Sequence, residues 1–312
     1  MANISASMVK ELRELTGAGM MDCKKALTNT DGDMDKAVEW LRENGLAKAE
    51  KKAGRIAAEG IVKTFISADG KNASMVEVNS ETDFVAKNDK FQDFVGDVVE
   101  QINGSAAEDV EAFLAEAWAK DSSKTVKEEL ASMVATIGEN MNIRRFAKLS
   151  ADNGVVVDYI HAGGKIGVLI AAETDNTGDE VVECLKNVAM QIAAMNPEYL
   201  SADDVSEEYK EKEKKILLEQ AKNDPKNAGK PENIIEKMII GRLNKELKEV
   251  CLTEQVYVKA ENKETVAKYV ESVAKAVGCN LKLTGFVRYE TGEGLEKKEE
   301  DFAAEVAAQM GM

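Results

Sequence analysis

The chain carries one histidine, His161. Without a second one, no Ser/His/Asp triad can be built elsewhere, and at His161 itself the neighbouring Gly163-Gly164 simply suits a hairpin turn. Four cysteines, Cys23, Cys184, Cys251 and Cys279, are scattered through apolar-patterned stretches and show no metal-ligand spacing. Free buried thiols in a reducing cytosol are the expectation. Gly17-Ala18-Gly19 precedes a helical pattern but lacks the further glycines and the Lys-Ser/Thr of a phosphate loop. There is no dinucleotide fingerprint and no HExxH motif. What is missing argues against an enzyme, and no metal or cofactor is expected.

The stretch best suited to recognition is Thr82-Asp83-Phe84-Val85. Ala73 to Val78 reads as a strand before it. Asp89 to Ile102 reads as a helix after it, with Phe91, Phe94, Val95, Val98, Val99 and Ile102 on one side. Thr and Asp suit such a junction because they close turns and cap helices. A phenylalanine has no such task. Two roles are open: a staple folded onto the core, or an exposed aromatic anchor for a partner's pocket.

The chain offers an internal control. Glu81-Thr82-Asp83 recurs as Glu173-Thr174-Asp175, 92 positions on, and Gln101-Ile102 recurs as Gln191-Ile192, 90 positions on. Gly60-Ile61-Val62 and Gly154-Val155-Val156 begin matching strands, and Asp69-Gly70 and Gly163-Gly164 offer matching turns. Such register implies an internal duplication. Read through the triplets, Asn176-Thr177 stands where Phe84-Val85 stood, which weighs towards binding for Phe84.

Around these units the patterning predicts an α+β chain. Ser7 is expected to cap a helix from Met8 to Thr16. Met20–Thr28 and Met34–Asn44 follow as helices, with Gly45 as a stop, and Leu46–Glu59 is a basic helix or linker. Helices are expected at Glu108–Ala119, Val126–Ile137 and Thr265–Val277, and strands at Ile143–Leu149 and Gly285–Tyr289. Val205–Ala221 and Asn233–Val250 carry thin apolar seams: Val205, Tyr209, Ile216 and Leu217 on one, Ile235, Ile239, Leu243 and Leu247 on the other. Joined by a Pro/Gly tip around Pro225 and Gly229, they predict an antiparallel coiled-coil arm. Asp301–Met310 is expected to be a short docking helix.

Length and composition bound the rest. The chain has 312 residues, 44% hydrophobic and 31% charged, enough for two or more domains. The formal charge of −16 repels phosphate backbones and anionic lipid, so a protein partner with basic patches is favoured over nucleic acid or membrane. No apolar run reaches ~20 residues, and the start carries no signal-peptide pattern.

Three motifs then carry a resemblance: Thr16-Gly17-Ala18-Gly19-Met20-Met21-Asp22-Cys23-Lys24-Lys25-Ala26-Leu27, Thr82-Asp83-Phe84-Val85-Ala86-Lys87, and Gly138-Glu139-Asn140-Met141-Asn142-Ile143-Arg144-Arg145. Together they closely resemble bacterial elongation factor Ts, and the resemblance extends over essentially the whole chain. It implies a guanine nucleotide exchange factor for the cytoplasmic GTPase elongation factor Tu. The layout it implies is a three-helix ubiquitin-associated-like domain with linker (1–56) and a duplicated α+β core with small antiparallel sheets (57–152, then 153–200 with 251–290). A coiled-coil arm (201–250) and a C-terminal helix module (291–312) complete it. By resemblance, Thr82, Asp83, Phe84 and Val85 enter the partner's nucleotide-binding domain, disturb its Mg²⁺ site and loosen GDP. Leu12, Met20, Ile137, His161 and Val306 are further contacts so implied. A homodimer or a two-to-two complex stays open, and so does a non-catalytic adaptor that binds the GTPase without changing nucleotide release. A hydrolase or transferase would need a site the sequence does not offer.

Overall fold

The computed structural model describes residues 4–224, 227 and 230–296. Pro225, Gly229 and the expected helix at 301–310 with Val306 lie outside the described residues.

The N-terminal helices are α1 (Ala6–Thr16), α2 (Met20–Asn29) and α3 (Met34–Lys52). Ser5, two residues before the expected Ser7, caps α1 by accepting the Met8 N–H at 3.3 Å, and Gly17 closes it at φ 69°. Val9, Leu12, Cys23, Ala26, Leu27 and Ala37 fill the space between the three. The expected stop at Gly45 does not occur. Gly45 is buried, and a Cβ on it would lie 3.9 Å from Ala131 O and Ala135 Cβ of α7 (Val126–Ile137). That packing outweighs the ~1 kcal/mol a mid-helix glycine costs.

The first half of the core is an antiparallel sheet of β1 (Glu59–Ile66), β2 (Asn72–Ser80) and β5 (Met141–Ser150), in that order. Helix α5 (Asp89–Gly104) lies on it with Phe91, Phe94, Val95, Val98, Val99 and Ile102 buried. Each such side chain contributes ~1.5–3 kcal/mol. The expected helix at Glu108–Ala119 is shorter, α6 (Val110–Ala115). The chain then pairs β3 (Ala117–Trp118) with β4 (Asp121–Thr125). Burying Trp118 against Phe94, ring centroids 5.9 Å apart, is what turns it. Gln101 holds the turn through Ala117 O at 3.0 Å and the Ala119 N–H at 2.9 Å.

The second half repeats the sheet with β6 (Gly154–His161), β7 (Ile166–Thr174) and β8 (Leu281–Glu290), covered by α8 (Asp179–Met195) and α11 (Val266–Val277). The other faces of the two sheets meet, with Val62, Ala73 and Met75 against Val156, Leu169 and Ala171. This sheet-on-sheet layer was not legible as such in either half. It has an approximate two-fold reciprocity. The Val62 N–H donates to Gly164 O at 2.7 Å, and the Val156 N–H to Gly70 O at 2.8 Å. Both pairs are related by a shift of 94 residues. So are Gly60 and Gly154, where a Cβ would lie 2.1 Å from Val78 O and 1.9 Å from Ala172 O respectively. The duplication is therefore built into the packing, and the fold is α+β.

Helices α9 (Glu207–Asn223) and α10 (Glu232–Val250) run antiparallel. Tyr209, early in one, donates to Glu246 late in the other at 3.2 Å. Ala221, Ile239 and Leu243 are buried in the seam, whereas Ile216, expected there, is exposed. Val205 is buried ahead of α9 and belongs to the base of the pair.

Candidate functional site

Strand β2 ends at Ser80, and the chain makes one extra helical turn, α4 (Asp83–Ala86), before α5. Thr82 caps it, its Oγ1 accepting the Val85 N–H at 3.4 Å. Val85 and Ala86 are buried beneath the turn. Phe84 is 80% exposed. Of the two roles open for it, the staple is the one the structure rules out.

The turn is held from outside by the loop that follows α7. Gly138 ends that helix at φ 95° and sends Glu139 and Asn140 towards the turn. The Glu139 carboxylate accepts the Thr82 N–H at 3.0 Å and the Thr82 hydroxyl at 2.8 Å. In return Glu81 Oε1 accepts the Asn140 N–H at 2.6 Å and lies 3.4 Å from the Arg55 guanidinium. Asn140 donates from its side chain to Arg55 O at 2.8 Å. Asp83 pairs with Lys87 at 2.7 Å, which lowers its carboxyl from the usual range. Hydrogen bonds to carboxylates are the strong ones, ~1.5–3 kcal/mol each. The clamp therefore fixes the backbone on both sides of a bare aromatic ring. Glu81, Glu139, Asn140 and Arg55 are the site residues that sequence reasoning missed. Their only signals were that Glu81 sits in the recurring Glu-Thr-Asp triplet and that Glu139 and Asn140 fall in one of the family motifs.

By strand register the second half aligns with the first at a shift of 94 residues, so Thr174 matches Ser80. The hydroxyls agree: Ser80 Oγ donates to Thr82 O at 3.0 Å, and Thr174 Oγ1 to Asn176 O at 2.9 Å. By helix start the shift is 90, Asp89 against Asp179. The difference of four is the length of α4. Phe84 therefore lies in an insertion, and the expected equivalence of Asn176-Thr177 with Phe84-Val85 is corrected. The two Glu-Thr-Asp triplets are not structural counterparts.

The other expected contacts separate. His161 is exposed at the end of β6, its Nδ1 2.9 Å from the Tyr159 hydroxyl. Its hairpin turns through Ala162, Gly163 and Gly164 at φ 47°, 67° and 100°. Lys165, at the end of that hairpin, pairs with Glu59, whose strand partner Ser80 leads into the Phe84 turn, and its charge helps lower the carboxyl of Asp83. Ile137 is half-buried against the first-half core, next to Gly138. Met20 is 59% exposed, beside exposed Met21 and Leu15. Leu12 is corrected. It has no exposed surface and holds the helices together, because it points to the middle of the bundle.

Among the described residues no three His, Cys, Asp or Glu side chains are grouped to hold a metal ion. Burial pushes the thiols of Cys23, Cys184 and Cys251 up, that of Cys184 to about 11, away from reactive thiolate. Among the described residues no helix is long and apolar enough to cross a membrane.

The chain is similar to known proteins over almost all of its length. The family model described as Elongation factor TS matches residues 81–293, a span that begins at the clamp residue Glu81. Elongation factor Ts of Clostridium novyi (strain NT) is 54% identical over 307 residues, covering 98% of this chain and 99% of that protein. Elongation factor Ts of Clostridium tetani (strain Massachusetts / E88) is 53% identical over 307 residues, with 98% and 99% covered. That of Clostridium botulinum (strain ATCC 19397 / Type A) is 53% identical, with 98% of each chain covered.

Proposed function

The chain belongs to the elongation factor Ts family of translation elongation factors, and from that premise we propose that it is a guanine nucleotide exchange factor for elongation factor Tu. It binds the GDP form of that GTPase, perturbs its Mg²⁺ and phosphate site, and promotes release of GDP so that GTP can rebind. The observation that carries this reading is the bare ring of Phe84 on a turn clamped by Glu81 and Glu139. An exposed aromatic on a rigid support loses little entropy when it enters a pocket, which is how binding hot spots are made.

The proposed action is by binding alone, with no covalent step, no cofactor and no metal of its own. Thr82 and Val85 hold the turn, and Asp83 carries a charge beside it. Phe84 inserts. Tight phosphate binding depends on Mg²⁺ and on fixed donors around it, and a ring wedged beside them displaces both. The His161 hairpin and the Met20 face are proposed as further contacts. By linkage, a protein that weakens GDP binding must itself bind the GDP form less tightly than the empty form, by the same factor. The chain's strong negative charge suits a partner surface with basic patches and steers the encounter. A cytoplasmic site of action goes with this partner.

The test is release of labelled GDP from elongation factor Tu in the presence of the protein. Acceleration well beyond the spontaneous rate is expected. Binding without any acceleration would make the chain an adaptor instead.

A further inference from the structure

Past β8 the chain crosses back to the first half, where a buried carboxylate meets it. Glu77 of β2 has no exposed surface. It accepts from Arg144 Nη1 at 3.0 Å, Arg145 Nε at 2.6 Å, Asn79 Nδ2 at 3.1 Å and the Gly292 N–H at 2.8 Å. Neighbouring strand residues face opposite sides of a sheet. Arg144 and Arg145 reach one carboxylate because β5 bulges there, the register passing from Glu77–Arg145 to Val78–Ile143. The second half has the same bulge, from Ala171–Gly285 to Ala172–Leu283. There the corresponding residues, Ala171, Thr284 and Gly285, are uncharged. The bulge belongs to the repeated fold, but only the first half loads it with charge. A buried carboxylate is costly unless fully partnered, and here one partner comes from the end of the other half.

The two residues at that crossing hold different things. Thr291 donates its N–H to Lys165 O and its hydroxyl to Gly164 O, both at 2.9 Å. That is the end of the hairpin bearing His161. Gly292, at φ 74°, donates to Glu77, and a Cβ on it would lie 2.2 Å from Ala58 O, just ahead of β1. One residue thus grips the second-half hairpin and the next grips the strands that carry the Phe84 turn.

We propose that Thr291-Gly292, received by Glu77 with Arg144 and Arg145, is a positioning latch that sets the spacing between the His161 hairpin and the Phe84 turn. The proposal rests on the exchange reading. Contact energy at one element can distort the partner at another only when the two are rigidly spaced, and small misplacements are costly in rate. None of the five residues is proposed to touch the GTPase.

The experiment follows GDP release from elongation factor Tu with the full-length protein, Gly292→Ala and Thr291→Val, as a function of factor concentration, with thermal unfolding alongside. Each variant is expected to lower the saturating release rate about tenfold while the half-saturating concentration stays within about threefold. In a Phe84→Ala background, Gly292→Ala should add less than about twofold, because the latch acts through the turn. Unchanged saturating rates, or a full further loss in the Phe84→Ala background, would overturn the latch. Should Gly292→Ala fail to unfold cooperatively, Thr291→Val, which keeps the shape and removes only a hydroxyl, decides by the same criteria. Failure of the unaltered protein to accelerate release would overturn the exchange reading itself, a different result from normal release by the variants.

Discussion

The two halves of the core pass from sheet to helix in different ways. The second half goes from β7 to α8 through residues 175–178, a turn in which Asn176 Oδ1 accepts the Gly178 N–H at 2.8 Å. The first goes from β2 to α5 through residues 81–88 and makes an extra turn on the way. Since the shorter route is sufficient, the extra turn is not there to connect. It exposes a phenylalanine, which a folding requirement alone would bury, and it takes two carboxylates to hold it still. The same asymmetry recurs at the β-bulge, charged in the first half and uncharged in the second. A duplicated scaffold carries the exposed aromatic and the charged bulge in one half, while the other keeps the plain form at both places.

Breaking the asymmetry should have graded effects. The largest is expected from Phe84→Ala: about 2 kcal/mol or more lost in exchange, roughly thirtyfold, with unfolding unchanged within about 0.5 kcal/mol. Stopped-flow release of labelled GDP and a thermal melt measure the two. A stability loss of ~3–5 kcal/mol would instead mark a core residue. Glu139→Gln comes next. It replaces one acceptor of the Thr82 pair by a donor, and exchange should fall by about 1–2 kcal/mol with a smaller loss of stability. Equal losses in both would mean that the clamp serves only the fold. Removing the arm between residues 207 and 248 through a short Gly-Ser bridge should leave cooperative unfolding of the core in calorimetry, since Val205 and Cys251 stay in place. Some exchange should persist with weaker partner affinity. Asn176→Ala, in the plain copy, should cost about 0.5–1 kcal/mol of stability through its lost turn hydrogen bond and nothing in exchange. Any clear loss of exchange there would blur the contrast between the halves.

Much of this was legible in the sequence where periodicity and burial coincide. The six apolar positions of α5 are all buried as their spacing predicts, and the glycine turns fall at Gly70 and Gly163-Gly164. What stayed hidden has physical causes. Gly45 reads as a helix stop unless the packing of α7 against it is known. The β3–β4 pair is polar and short, so no alternation announces it, and only the burial of Trp118 explains it. Leu12 carries the pattern of any amphipathic position, and sequence cannot say which side of the stripe meets a partner. The Glu-Thr-Asp triplets suggested an equivalence that strand register denies, because an insertion of four residues shifts the helix and not the strand. The Glu139–Thr82 contact joins residues 57 apart in sequence, which no local pattern encodes.

The most direct test of the central claim is the ratio of affinities for nucleotide-free and GDP-bound elongation factor Tu, measured by calorimetry or surface binding for the unaltered protein and for Phe84→Ala. Linkage requires the unaltered protein to favour the empty form by the factor by which it weakens GDP. The account predicts that Phe84→Ala brings this ratio down towards one, through a selective loss for the empty form. A ratio unchanged by the substitution, with both complexes weakened alike, would contradict it, since Phe84 would then hold the partner without driving the release of GDP.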